Sequence, residues 1–198
     1  MAALAFCLPA YAARTMLVFG DSLSSAYGLS ADQGWVHLLG ERAIRSGLDW
    51  RIVNASVSGE TTAGGLRRLP EDLKRHKPDI VVIALGANDA LRGLTIAGIR
   101  GNLEKMIRLA RQARAEPVIV GLMIPPNYGI DYAAEFRGLY PALATRHRAA
   151  LVPFLLDGIA DKPDLFQPDQ LHPSAAAQPM ILDTVWKTLE PLLRKRAS

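Results

Sequence analysis

The chain has 198 residues, 49% of them hydrophobic and 21% charged, the balance of an ordinary globular domain with room for a sizeable core. Its formal charge of +4 is spread along the chain, not gathered into a basic stripe with interleaved aromatics, which argues against a nucleic-acid partner. No apolar run approaches the ~18 residues of a membrane-spanning helix, and a single cysteine, Cys7, excludes a disulfide within the chain.

The opening stretch, "MAALAFCLPAYAAR", is apolar and uncharged up to Arg14, and Ala10-Tyr11-Ala12 has the small-x-small form of a signal-peptidase site. Residues 1–13 therefore read as the remnant of a signal peptide and 14–198 as one domain, periplasmic or secreted after cleavage near Ala12, or cytoplasmic if the segment is no signal. Bulky Phe6 before Cys7 makes a poor lipidation site, so no stable membrane anchor is expected.

Apolar, β-rich runs follow at 15–19, 51–55, 80–85, 118–123 and 150–154. The third, "IVVIAL", is apolar throughout, as a central strand covered on both faces should be. Helix-period segments lie between them. Trp35, Leu38, Leu39 and Ala43 share one face, and Ile99, Leu103, Met106, Ile107, Ala110 and Ala113 share another. A last helix over 184–193 carries Val185, Leu189 and Leu192, and "LRKRAS" reads as its solvated cationic end. Gly47 and Pro78 interrupt the helical patterns before the next strands. This alternation predicts an α/β fold, a three-layer α/β/α sandwich around a five-stranded parallel sheet, with no repeat and no linker.

Such sheets bind ligands beyond the carboxyl ends of their strands. The segments in those places are "GDSLS", "ASVSGET", "LGANDALRG", "MIPPNYG" and "PDQLHPS", where glycines and small polar residues gather. Ser22 follows the first strand and is the candidate nucleophile. Ser56 and Ser58 compete for that role from the second loop. Of four histidines, His37, His76 and His147 lie in helical patterns. His172 lies in a loop three residues after Asp169, a spacing at which one turn brings carboxylate to imidazole. Taken singly, Asp169 also reads as a turn cap, Asn88 as a turn residue and Gly59 as a left-handed turn glycine. Asp21, adjacent to Ser22, reads as a structural residue bonding loop amides, with an aspartyl nucleophile as the alternative. There is no G-x-S-x-G elbow, no Gly-rich phosphate loop and no metal-ligand spacing, so neither cofactor nor metal is expected.

The blocks "GDSL", "SGET", "GAND" and "DQLH", in this order, resemble the SGNH or GDSL hydrolase superfamily, and more narrowly its bacterial acyl-CoA thioesterase I, lysophospholipase and arylesterase group. The resemblance implies a flavodoxin-like SGNH hydrolase fold and a serine hydrolase that cleaves carboxylic esters and thioesters through an acyl-serine. It implies Ser22 as nucleophile, His172 as base and Asp169 as its orienter, with the oxyanion held by the Ser22 and Gly59 N–H groups and the Asn88 side chain. It places the segment "MIPPNYGIDYAAEF", with Pro126, Tyr128, Ile130, Tyr132 and Phe136, along an acyl-binding groove; the alternative is that its aromatics belong to the core, since they also begin a helix. A small-molecule acyl ester or thioester is the implied substrate and a monomer the expected state. A carbohydrate O-acetyl esterase on the same fold is the alternative.

Overall fold

The computed structural model describes residues 14–197, and each of the five apolar runs forms a strand in it: β1 (Arg14–Gly20), β2 (Trp50–Asn54), β3 (Ile80–Ala84), β4 (Glu116–Val120) and β5 (Ala150–Val152). The Ala10-Tyr11-Ala12 and Cys7 features lie outside the described residues. The strands are parallel, in the order β2-β1-β3-β4-β5. That is the flavodoxin-like order, and strand progression reverses between β1 and β3. Both of those strands are buried over most of their length, β3 without exception, which is why they read as unbroken apolar runs.

The helices are α1 (Trp35–Arg45), α2 (Thr62–His76), α3 (Ala87–Leu91), α4 (Ile96–Gln112), α5 (Ile130–His147) and α6 (Gln178–Ala197). α1 and α6 pack together against one face of the sheet, and α2, α4 and α5 pack side by side against the other. The expected faces are the buried ones: Trp35, Leu39 and Ala43 in α1, and Ile99, Leu103, Met106, Ile107 and Ala110 in α4. Ala113 is instead the exposed cap that ends α4. Three helices contain a proline, Pro70 in α2, Pro141 in α5 and Pro191 in α6, and each faces solvent. The carbonyl that loses its helical donor at such a position is then free to bond water, so the helix continues.

The last two strands are shorter than their apolar runs. Beyond Val120 and Val152 the two segments stay joined by Gly121 N–H to the Val152 carbonyl at 2.8 Å and Leu155 N–H to the Gly121 carbonyl at 2.9 Å, and then leave the ladder. Leu122 and Ile124 remain apolar because they are buried beyond the strand, not because they belong to it. Residues 123–125 follow directly at the carboxyl edge of the sheet. The join leaves no room for a side chain at Gly121, where a Cβ would stand 2.0 Å from the Pro153 carbonyl oxygen. Gly121→Ala should therefore displace backbone and destabilise the fold by about 1–3 kcal/mol, read as a lowered urea midpoint with an unchanged slope.

Candidate active site

β1 ends at Gly20, wedged between its neighbours: a Cβ there would lie 2.8 Å from Ser24 Oγ and 3.1 Å from the Ala84 carbonyl. The chain then turns over Asp21. The Asp21 carbonyl accepts the N–H groups of Ser24 (3.1 Å) and Ser25 (3.0 Å), and its carboxylate accepts Leu23 N–H at 3.0 Å. This is the structural role read from the sequence, and it stands Ser22 at the rim of the turn.

His172 reaches Ser22 from 150 residues away, with Ser22 Oγ 2.9 Å from His172 Nε2. On the other side of the ring, Nδ1–H donates to Asp169 Oδ2 at 2.7 Å. Because the carboxylate only accepts, Nδ1 carries the proton and Nε2 keeps its lone pair for the Ser22 hydroxyl. Asp169 Oδ1 also accepts the N–H groups of His172 and Leu171, each at 3.0 Å. The His172 backbone bond, followed by its side-chain bond and the Leu171 amide, holds the Asp169 carboxyl down at about 2. The turn closes so tightly because Gln170 takes a left-handed conformation, φ 54°. Gln167 fastens the loop: its side-chain amide donates to the carbonyls of Tyr27 (2.8 Å) and Pro173 (3.1 Å), and its backbone N–H donates to the His172 carbonyl (2.7 Å). The Tyr27 ring lies against the His172 imidazole, centroids 4.4 Å apart.

The second loop is tied to the first. Ser56 Oγ accepts Gly20 N–H at 3.1 Å, the Ser25 and Ser58 hydroxyls bond at 2.8 Å, and Asn54 Nδ2 donates to the Ser24 carbonyl at 2.8 Å. Ser56 and Ser58, the rival nucleophiles, thus have their hydroxyls in fastening bonds, while the histidine is on Ser22. Gly59, next along, is exposed with φ +77° and nothing within 4 Å of a Cβ position, so conformation and not crowding calls for glycine. Its carbonyl accepts from Arg92 Nη2 at 3.2 Å.

Asn88, read singly as a turn residue, stands in the first turn of α3, entered through Gly86 at φ +124°. Its Nδ2 donates to Asp21 Oδ2 at 3.3 Å. The neighbouring Asp89 is fully engaged elsewhere, accepting Thr62 N–H at 2.8 Å and Thr62 O–H at 2.5 Å, which pins the start of α2 beside α3.

Ser22, Gly59, Asn88 and His172 all line one cleft of about 260 Å³ at the carboxyl end of the sheet. Its apolar wall is made by Leu23, Leu91, Met123, Ile124, Leu156 and Leu171. The residues expected there from the 123–136 segment are placed differently. Pro126 and Ile130 line a second hollow, of about 350 Å³, on the far side of Met123 and Ile124. Tyr128 is 47% exposed and lines neither, and Phe136 is a buried core residue. Leu91 and Leu171 lie within the loops "LGANDALRG" and "PDQLHPS", whereas Leu156 carries no motif and Tyr27 lies just beyond the serine block. The other histidines are remote, His37 beside Glu41, His76 beside Asp72 and His147 beside Glu104. Among the described residues no three His, Cys, Asp or Glu side chains stand together as a metal site would require, and no helix is long and apolar enough to cross a membrane.

Residues 18–178, the span that holds every one of these groups, match the model of the GDSL-like lipase/acylhydrolase family. The chain belongs to this family. It is 50% identical over 182 residues to esterase TesA of Pseudomonas aeruginosa, covering 92% of this chain and 90% of that one. It is 39% identical over 188 residues to thioesterase 1/protease 1/lysophospholipase L1 of Escherichia coli K12, covering 93% and 87%. A crystal structure of TesA superposes with a TM-score of 0.88 at 49% identity, covering 90% of this chain and 99% of that one. The GDSL-family chain is thus an enzyme, a serine hydrolase of esters, on the SGNH α/β fold.

Two carboxyls of this site respond to pH in opposite senses. Burial, opposed by the Leu23 amide, His172 and Asn88, pushes Asp21 up to about 6. Its favourable contribution is complete below its ordinary value of 3.8 and is lost as pH rises through about 6. Asp169 contributes stability above 3.8 that is lost as pH falls toward about 2. Relative to Asp21→Asn, the wild-type enzyme should therefore lose a few kcal/mol, at order of magnitude, between about pH 4 and about pH 7. Urea unfolding of both proteins across that range measures it; a constant difference would show that Asp21 titrates as a free carboxyl.

Proposed function

We propose that this enzyme hydrolyses acyl esters and thioesters through an acyl-Ser22 intermediate, with His172 as base and Asp169 as its orienter. The observation that carries this reading is the continuous array from Asp169 Oδ2 (2.7 Å) through the imidazole to Ser22 Oγ (2.9 Å) at the mouth of an apolar-walled cleft. Ser22 Oγ attacks the acyl carbon as its proton passes to Nε2. The carbonyl oxygen becomes an anion and takes hydrogen bonds from the Ser22 and Gly59 N–H groups and Asn88 Nδ2, donors on residues that all border that cleft. Nε2–H then protonates the leaving alkoxide or thiolate. Water, deprotonated by the same nitrogen, attacks the acyl-serine and releases a carboxylic acid with the hydroxyl restored.

The leucine, methionine and proline walls support a medium or long acyl chain over an acetylated sugar, which would need more polar partners than this cleft offers. The names of the relatives, esterase and thioesterase/lysophospholipase, support the same substrate range. A single chain supplies every group of the array, which supports a monomer as the working unit. Export to the periplasm or beyond rests on Ala10-Tyr11-Ala12, with 14–198 as the one working domain.

A fluorophosphonate should label Ser22 alone. Ser22→Ala should lose both labelling and turnover with an unchanged melting curve, and an adduct mapped by mass spectrometry to Ser56 or Ser58 would overturn the assignment. A panel of acyl-CoA, lysophospholipid, aryl ester and acetylated-sugar substrates should show hydrolysis of the first three and a preference for acyl chains over acetyl sugars. N-terminal sequencing of exported protein should find a start near Ala13; an intact Met1 would remove the export reading and leave the chemistry untouched.

A further inference from the structure

We infer that Asp21 is a positioning residue that decides which edge of the Asn88 carboxamide faces the cleft. The inference rests on the reading of Asn88 as an oxyanion donor. Its physical basis is a matching problem among donors and acceptors in a closed space. Asp21 is 1% exposed, and its two oxygens have different partners: Oδ1 accepts Leu23 N–H at 3.0 Å and Oδ2 accepts Asn88 Nδ2 at 3.3 Å. Above about pH 6 Asp21 is an ionised carboxylate with no hydrogen to give, so each oxygen requires a donor. Leu23 supplies one from the backbone and cannot reverse it. Asn88 can reverse, because the two ends of a carboxamide have nearly the same shape. Only the nitrogen edge satisfies Oδ2. The oxygen edge would set two acceptors against each other in a buried place, leaving both without a donor.

This choice has a consequence at the cleft. The Asn88 NH₂ group has two hydrogens, and Asp21 takes one. The second remains for a ligand in the cleft that Asn88 borders. With the amide reversed, a carbonyl oxygen would take the place of that donor and repel the anion forming on the substrate. The carboxylate is therefore doing for Asn88 what Asp169 does for His172: it makes one of two nearly isosteric orientations the only one with satisfied bonds. The two positioning carboxylates differ in setting, since Asp169 lies at the surface and Asp21 lies beneath the nucleophile turn.

Asp21→Asn tests this directly, because it keeps the shape and removes one acceptor. The Leu23 N–H holds the remaining oxygen, so the new NH₂ faces Asn88 and favours the reversed amide. On a short aryl ester, Asn88→Ala and Asp21→Asn should each lower kcat by about 10²–10³-fold. KM should move little in either, since the missing bond strengthens only as charge develops. The double variant should be no slower than Asn88→Ala alone, whereas independent roles would multiply to about 10⁴–10⁶-fold. Asp21→Ala, which leaves both donors without their acceptor, should add nothing in the Asn88→Ala background either. Wild-type kcat in Asn88→Ala would remove the oxyanion reading and this inference with it. A slow Asn88→Ala beside a fast Asp21→Asn, or effects that multiply, would overturn the inference and leave the oxyanion reading standing. Loss of the folded state in both Asp21 variants would also overturn it, because the carboxylate would then be holding the fold and not the amide.

Discussion

The register of β1 between two parallel neighbours governs the rest of the molecule. Val18 stands opposite Asn54 on one side and Val82 on the other, and Gly20 stands opposite Ala84. Three strands consequently end side by side, and the loops that leave them are obliged to share one small volume. Because strand order reverses between β1 and β3, the helices that follow these strands diverge to opposite faces and leave a crevice between them. Ser22 comes from one lip of that crevice and Asn88 from the other, with Gly59 beside them. Ladder hydrogen bonds, and not contacts among the polar residues, bring these groups within reach of one substrate.

Proximity alone would leave three loose loops. The polar side chains of the motif blocks convert it into fixed geometry, each by satisfying a backbone group that the strand ends leave open. Ser56 takes the Gly20 N–H, Asn54 ties the Ser24 carbonyl, and Asp89 receives both donors of Thr62 at the start of α2. Buried polar atoms are costly when unpaired, so this mutual satisfaction makes one arrangement of the loops far better than its neighbours. The arrangement is of direct use to an ester hydrolase, whose donors must be in place before charge develops.

The histidine block solves a different problem. It has no strand immediately before it and must hold the His172 imidazole at a distance from Ser22 that is set from elsewhere. Asp169 does so by accepting from two backbone amides as well as from the imidazole, so that carboxylate, turn and ring are one unit. The left-handed Gln170 is the strain such a unit tolerates at a functional turn. Gln167 then joins the unit to the serine turn through the Tyr27 carbonyl, and the Tyr27 ring covers the imidazole.

Much of this was legible in the chain itself. Strands buried on both faces write continuous apolar runs, and α1 and α4 write a helical period, because each has a single kind of neighbour on each face. The four motif blocks were legible because special backbone positions and polar satisfaction admit few residue types. The end of α2 was legible at His76 and Pro78, but its beginning was blurred by Gly64, Gly65 and Pro70, whose poor propensity is overridden by packing such as that of Gly65 against Phe19 and Leu85. The ends of β4 and β5 were blurred because Leu122 and Ile124 are buried without being in the ladder. The segment that borders the cleft, 123–136, was legible, but not which of its residues line it: Met123, Ile124 and Pro125 do, while Pro126 and Ile130 line the adjoining hollow, because which side of a loop faces a cavity depends on the path of the chain after Gly121. Nor did the sequence pair Asp21 with Asn88, 67 positions apart. Local chemistry, the kind a residue carries with it, was determined by the sequence alone; which donor meets which acceptor across the strand ends was decided only by the tertiary structure, because those bonds exist only after the parallel ladder has brought distant loops together.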